Sequence, residues 1–117
     1  MSELQTVTAE TPAVPTSAVS IALPLVLIAD ANPQSRLRRS RQLADRGFRV
    51  AVARTAFEAI VKASCHLPDL ILVDGSLGEA DAQETSELLS RCPATAHIPV
   101  VRLTPGGRLP SLTPART

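Results

Sequence analysis

The sequence predicts an α/β fold in which helices cover both faces of an open parallel sheet. Four short apolar runs alternate with three helical patterns between residues 25 and 104, in the order β-α-β-α-β-α-β. This alternation is typical of parallel strands that are joined by crossover helices. With 117 residues, the chain has the length of one small domain.

The first two strands and the helix between them have clear sequence signals. The run LVLIAD at 25–30 is apolar up to its last residue, as expected for a strand buried on both faces. The next segment predicts a helix with Asn32 as N-cap, Pro33 at its first position and Gly47 as terminator. FRVAVA at 48–53 then alternates like an edge strand.

The second half of the predicted domain repeats this alternation. A second helix starts at the N-cap Thr55, and Glu58 completes a capping box. The strand DLILVD at 69–74 follows, then an acidic helix near Asp81 to Arg91, and finally the strand IPVVRL at 98–103.

The two ends of the chain have a different composition from this middle part. Residues 1–23 are rich in Thr, Ser, Pro and Ala without periodicity, which predicts a disordered leader. Residues 105–117 are similar, and we expect a flexible tail there. The folded domain is therefore predicted to span residues 24–104.

Composition excludes several classes of function. Hydrophobic residues make up 44% and charged residues 20%, which is typical of a soluble globular protein, and the net charge of +1 does not favour nucleic acid or membrane as a partner. The two cysteines form no disulfide or zinc pattern. No apolar run is long enough to span a bilayer and no signal peptide is present. We expect a cytoplasmic protein.

Three of the four predicted strands are followed or ended by a polar side chain: Asp30, Asp74 and Thr104. Ligands of open parallel sheets bind outside the carboxyl ends of the strands. Two carboxylates suit Mg²⁺, and a threonine hydroxyl can donate to a phosphoryl oxygen. The sequence therefore predicts a site for a hard cation and a phosphoryl group at this edge.

Residues 25–104 resemble the receiver domain of bacterial response regulators. The similarity is carried by four motifs in the right order and by the 30-residue gap between Asp74 and Thr104. These motifs are VLIADANP, the L-x-x-x-G-F-x-V stretch from Leu43 to Val50, PDLILVDGSLGEAD and ATAHIPVVRLT. The resemblance implies a flavodoxin-like sheet with strand order 2-1-3-4 and a role in phosphorelay signalling rather than as an enzyme.

The resemblance also implies roles for individual residues. Asp74 would accept a phosphoryl group from a sensor histidine kinase or a phosphotransfer protein, and Thr104 would be the switch hydroxyl. Asp30, Asp74 and the backbone carbonyl of Ser76 would bind Mg²⁺.

This sequence departs from the family pattern at two places. The second acid after the first strand is replaced by Ala31, so we expect weak Mg²⁺ binding and slow phosphorylation. We also expect the fifth strand and last helix of the family to be missing, together with a lysine that contacts the phosphoryl group. The only lysine, Lys62, lies in the second predicted helix. A truncated sheet leaves the strand at 98–103 as an exposed edge, through which the chain could form a homodimer.

Four arginines crowd the first predicted helix, at positions 36, 38, 39 and 41, and we expect Leu37, Leu43 and Ala44 to face the sheet. The arginines predict a solvated face or a docking surface for an acidic partner. DNA binding through this helix is a weaker alternative, since no second basic segment supports it. The other alternative to phosphorylation is a receiver-like module that docks downstream partners without being phosphorylated.

Overall fold

The structure, a computed structural model, describes residues 23–112, and these follow the predicted alternation of strands and helices. The predicted leader lies outside the described residues except for Leu23. The elements in chain order are β1 (Leu25–Ala29), α1 (Pro33–Asp45), β2 (Arg49–Ala53), α2 (Ala56–His66), β3 (Leu70–Asp74), a 3₁₀ turn (Gly75–Leu77), α3 (Glu79–Arg91) and β4 (Val100–Leu103). Among these residues, no helix has both the length and the apolar character that crossing a bilayer requires.

The four strands form one parallel sheet in the order β2-β1-β3-β4, which confirms the predicted order. In the centre of the sheet, Leu27 pairs with Ala51 on one side and with Ile71 on the other. At the carboxyl end, Asp74 is the last residue of β3 and pairs with Leu103. The register therefore brings the ends of β1, β3 and β4 to the same edge.

The core lies on both faces of the sheet because alternate strand residues point to opposite sides. One face packs against α2 and α3, with Leu27 and Ile71 buried among Ala59, Ala63 and Leu89. The other face packs against α1, in a second cluster that we call the α1-side core. Its buried members are Val26, Ile28, Leu43, Phe48 and Leu72.

The predicted helix caps are present. The Oδ1 atom of Asn32 accepts hydrogen bonds from the backbone N–H groups of Gln34 and Ser35, at 2.8 and 3.3 Å. The Oγ1 atom of Thr55 accepts from the Glu58 N–H at 3.0 Å. The Glu58 carboxylate accepts from the Arg54 N–H at 2.7 Å, one residue before the cap, so the predicted capping box closes through Arg54.

The predicted inner face of α1 is wrong in part. Leu43 is buried as expected, but Leu37 is 53% exposed and Ala44 is exposed too. The buried stripe of the helix consists of Ser35, Arg39 and Leu43, which are spaced four residues apart and so lie on one face. Arg39 is therefore turned toward the sheet, contrary to the prediction of a solvated arginine face, because its charge is matched by carboxylates there.

Residues 104–112 contain no helix or strand, but they lie against α1 and the sheet. We call this segment the tail. Its residues Leu109 and Leu112 pack against the α1-side core. Nη2 of Arg38 donates to the carbonyl oxygen of Gly106 at 3.1 Å. The tail thus covers part of the α1 face of the sheet. The flexibility predicted for residues 105–117 stays a prediction.

Candidate functional site

Two carboxylates, those of Asp30 and Asp74, lie side by side at the carboxyl edge of the sheet. Asp30 directly follows β1 and Asp74 ends β3, and these two strands are paired neighbours. Both residues have an exposed fraction of 0%. Burial of two negative charges is unfavourable unless cations or hydrogen-bond donors compensate them, so their partners determine what the site can do.

The main partner of both carboxylates is Arg39 of α1, whose side chain is also 0% exposed. Its Nη1 atom lies 2.5 Å from Oδ1 of Asp74 and 3.1 Å from Oδ2 of Asp30. Its Nη2 atom donates to two backbone carbonyls of the tail, those of Thr104 at 3.3 Å and Gly107 at 2.7 Å. One guanidinium therefore joins the ends of β1 and β3 to the tail.

The remaining hydrogen bonds of Asp30 come from nearby backbone and hydroxyl groups. Oδ1 accepts from the Asn32 N–H at 2.9 Å and from the Ser76 hydroxyl at 3.0 Å. Oδ2 accepts from the Ser35 hydroxyl at 2.6 Å, in addition to Arg39. Each oxygen of Asp30 thus has two donors, which explains how this charge is buried.

Ser76 connects the two carboxylates on the side opposite Arg39. Its N–H donates to Oδ2 of Asp74 at 2.8 Å, while its hydroxyl donates to Asp30 and accepts from the Ala31 N–H at 3.0 Å. The resemblance to receiver domains implied that the Ser76 backbone carbonyl binds Mg²⁺; the contacts of Ser76 with the two carboxylates are made by its N–H and its hydroxyl.

Thr104 lies at the same edge, where it is exposed. Its carbonyl accepts hydrogen bonds from Arg39 and from the Gly107 N–H, the latter at 2.9 Å. A Cβ atom on Gly107 would lie 2.2 Å from the Oγ1 atom of Thr104, so a larger residue at this position would require the Thr104 side chain to move. The structure therefore brings all four predicted site residues, Asp30, Asp74, Ser76 and Thr104, to one edge of the sheet.

The electrostatics of Asp74 reflect two opposing causes. Burial raises the pKa of its carboxyl group, but hydrogen bonds from Ser76 and the charge of Arg39 together outweigh this and lower the pKa below its ordinary value. Asp74 is consequently ionised at neutral pH and forms part of a buried ion pair.

Arg39 is the site residue that sequence reasoning missed. Arginine is rarely fully buried, and four arginines in one helix favour an exposed face. The available signal was its spacing: Arg39 lies four residues after Ser35 and four before Leu43, on the stripe that the helix buries. A buried helix face traced back from Leu43 in steps of four residues, without Leu37, would have included Arg39.

Comparison with solved structures shows 28 similar chains. The N-terminal domain of a response regulator receiver protein from Methanoculleus marisnigri is 30% identical, with a TM-score of 0.65, and the match covers 69% of this chain and 66% of that one. The bacteriophytochrome response regulator AtBRR is 28% identical over 70% and 66%, with a TM-score of 0.57. The chemotaxis response regulator CheY4 of Vibrio cholerae shares the fold at 23% identity and a TM-score of 0.64, over 69% and 68%.

No family model and no curated protein matches the sequence. The parallel sheet in the order β2-β1-β3-β4, with carboxylates at its carboxyl edge, defines a receiver domain. The chain accordingly belongs to the response-regulator receiver domains, and it spans about two thirds of the length of the structures that it matches.

Receiver domains in general bind Mg²⁺ at their acidic pocket, and the residues present here do not fit that ion as they are arranged. Both oxygens of Asp30 already have two donors each, and Oδ1 of Asp74 contacts a guanidinium. Ala31 supplies no side-chain oxygen. Among the described residues, no group of three metal-ligating side chains is present. Arg39 supplies the positive charge in this pocket.

Proposed function

We propose that this receiver domain acts in two-component signalling as a docking module that binds protein partners without being phosphorylated. The observation that carries this proposal is the buried guanidinium of Arg39 between Asp30 and Asp74. The receiver fold supports the general role in signalling. The contacts of Arg39 favour the phosphorylation-independent form of it.

Phosphoryl transfer to a carboxylate needs a free oxygen, an in-line approach of the donor and a means of neutralising charge on the equatorial oxygens. Oδ1 of Asp74 contacts Arg39, Oδ2 accepts from Ser76, and the residue has no exposed surface. The Nη atoms of Arg39 already donate to four acceptors. A phosphodonor would have to break this buried ion pair before it could reach the nucleophile.

A second candidate function is phosphoryl acceptance at Asp74 from a sensor histidine kinase or a phosphotransfer protein. It is favoured by the position of Asp74 at the end of β3 and by its lowered pKa, which keeps the carboxylate ionised. In this function, Arg39 would have to turn away from Asp74, and Thr104 would be the switch hydroxyl. DNA binding, a homodimer and a cytoplasmic location stay predictions, as does the absence of an enzymatic activity.

Incubation of the full chain with acetyl phosphate and excess Mg²⁺, followed by intact mass spectrometry, separates the two functions. We expect no gain of a phosphoryl group by the wild type, because Asp74 is enclosed. The Asp74→Asn variant is the negative control, since its amide cannot accept the group. A mass gain in the wild type that is absent from Asp74→Asn would establish the second function and disprove the first.

A further inference from the structure

A groove of about 530 Å³ runs between α1 and the tail, on the face opposite α2 and α3. We call it the α1–tail groove. One wall consists of Arg38 and Gln42 of α1 and of Arg46, the residue that caps the end of this helix. Arg38 and Gln42 are four residues apart and so project from one side of the helix. The facing wall is formed by residues 106–111 of the tail.

The lining of this groove is strongly positive. It contains Arg38, Arg46 and Arg108 and no aspartate or glutamate. None of these three arginines forms an ion pair within residues 23–112. The whole chain has a net charge of only +1, whereas the lining of this groove contains three cationic residues and no acidic one. An unpaired cluster of this kind attracts anionic groups.

Neutral acceptors hold two of these guanidinium groups at the groove. Arg38 donates to the Gly106 carbonyl at 3.1 Å, and Arg46 donates to the Pro110 carbonyl at 3.4 Å. A guanidinium has five N–H donors, and a carbonyl oxygen does not neutralise its charge. The side chains are thus positioned while N–H groups remain for a carboxylate, which arginine binds through two parallel hydrogen bonds.

The tail side of the groove is held in place by contacts with Arg39 of the functional site and with the α1-side core. Nη2 of Arg39 donates to the carbonyls of Thr104 and Gly107, and Leu109 and Leu112 pack against the α1-side core. The groove is therefore a preformed surface, and a ligand has little chain to order when it binds.

The spacing of the arginines indicates the form of the ligand. Arg38 of α1 and Arg46 at its C-cap are eight positions apart, which corresponds to about 12 Å along the helix axis. In an extended peptide, side chains four residues apart point to the same side and lie about 13 Å apart. An extended segment with acidic residues at i and i+4 matches the two guanidinium groups.

We propose that the α1–tail groove binds an extended acidic segment of a partner protein. This inference rests on the proposed docking function and names the class of partner. A peptide fits these observations better than nucleic acid because no aromatic side chain lines the groove for base stacking.

The test is fluorescence anisotropy with a labelled peptide that carries two glutamates four residues apart, and with a control peptide in which both are glutamine. We expect the wild-type full chain to bind the first peptide about tenfold more tightly than the second, because the glutamines remove two charge pairs. The double variant Arg38→Gln/Arg46→Gln should bind about tenfold more weakly, as expected for the loss of two charge pairs near the surface. Arg41→Gln is the matched control, because Arg41 lies on the same helix, is exposed and is outside the groove.

Three outcomes would overturn the inference: no binding of the glutamate peptide by the wild type, equal weakening by Arg41→Gln, or displacement of the peptide by duplex DNA of equal charge at lower concentration. A fourth is self-association of the wild type in sedimentation that is lost in the arginine double variant, which would make a second copy of the chain the occupant. Phosphorylation of Asp74 in the mass assay would disprove the proposed function while peptide binding persists, so the two failures are distinguishable.

Discussion

Arg39 is the residue of α1 that connects the acidic pocket to distant parts of the chain, because its guanidinium contacts Asp74, Thr104 and Gly107. It is the only cation that contacts the carboxylates of Asp30 and Asp74 within the described residues, and it reaches them through a single nitrogen, Nη1. Its Nε atom is buried without a hydrogen-bond partner there. The Nε–H group is thus left without an acceptor in the arrangement that places the guanidinium in contact with both carboxylates and the tail.

Removal of this cation should destabilise the protein and create a response to Mg²⁺. We expect Arg39→Ala to lower the free energy of unfolding by about 3–5 kcal/mol, because two buried carboxylates lose their counter-charge. Added Mg²⁺ should raise the melting temperature of this variant, since carboxylates suit the ion, and should leave that of the wild type unchanged. Thermal melts with and without Mg²⁺ measure both effects.

Two variants control this experiment. Arg41→Ala removes an exposed arginine from the same helix and should change the free energy of unfolding by less than about 0.5 kcal/mol. Arg39→Ala/Asp74→Asn removes one carboxylate as well and should lose the response to Mg²⁺. An equal rise in melting temperature in the wild type and in Arg39→Ala would show that Arg39 does not occupy the place of a metal.

The ion pair also predicts a pH dependence of stability that originates at Asp74. Its pKa is lower in the folded protein than the ordinary value of 3.8, so the unfolded chain binds the proton more readily. The contribution of Asp74 is therefore complete above that value and is lost as the pH falls through the folded pKa. Urea unfolding between about pH 6 and pH 3 should show the wild type losing stability with acid.

Asp74→Asn should flatten this part of the pH profile, since the amide does not titrate. Asp45→Asn, at an exposed position at the end of α1, provides the comparison and should keep the wild-type slope. If the Asp74→Asn and wild-type profiles are parallel, the ion pair is not formed in solution.

At the scale of elements, the tail covers part of the α1 face of the sheet. Leu109 and Leu112 lie half-buried against the α1-side core, and the backbone between Thr104 and Gly107 is bonded to Arg39. A segment without regular structure is held here by two leucine side chains and by carbonyl groups. This arrangement makes the tail part of the folded unit.

A series of three leucines tests this role of the tail. Leu43→Ala, in the buried face of α1, should cost about 2–5 kcal/mol of unfolding free energy. Leu109→Ala should cost about 1–2 kcal/mol, because its side chain removes less surface from water. Leu37→Ala, with 53% of the residue exposed, should cost less than about 0.5 kcal/mol. Urea unfolding monitored by circular dichroism gives all three values; if Leu109→Ala matches Leu37→Ala, the tail does not pack on the sheet in solution.

Some features of the helices, strands and tail could be predicted from local sequence, and others could not. Strand runs and helix caps are specified by neighbouring residues, and Asn32 and Thr55 were identified correctly for that reason. The spacing of Arg39 from Ser35 and Leu43 marks its inward position, but its partner Asp74 is 35 residues away, and no local pattern identifies that contact. The path of the tail depends on hydrogen bonds to backbone carbonyls. Because every residue has a carbonyl, the sequence does not show which ones are used.

At the scale of the whole molecule, β4 is an edge of the sheet within residues 23–112, as the sequence predicted. The Ile71 N–H donates to the Pro99 carbonyl, and the alternation of a parallel ladder then turns the N–H groups of Val100 and Arg102 away from β3. Outward N–H groups on an edge strand are a template for pairing with another chain.

We therefore expect the wild type to associate as its concentration rises. Arg102→Pro removes one outward N–H group and should reduce association, because proline cannot donate to a ladder. Sedimentation velocity over a range of concentrations measures the effect, with Arg102→Ala as the control for the lost side chain. A monomeric wild type at every concentration would contradict this prediction.

The contacts of Arg39 also impose an order on the folding of the chain. Its acceptors lie 9, 35, 65 and 68 residues away along the sequence. The entropy lost in closing a loop grows with its length, so Asp30 is the easiest partner to reach and the tail carbonyls are the hardest. A guanidinium that enters the interior before Asp74 arrives has too few acceptors. We infer that the pocket closes late, after the central strands have paired, and that the first partial opening of the native protein releases the tail and hydrates Arg39.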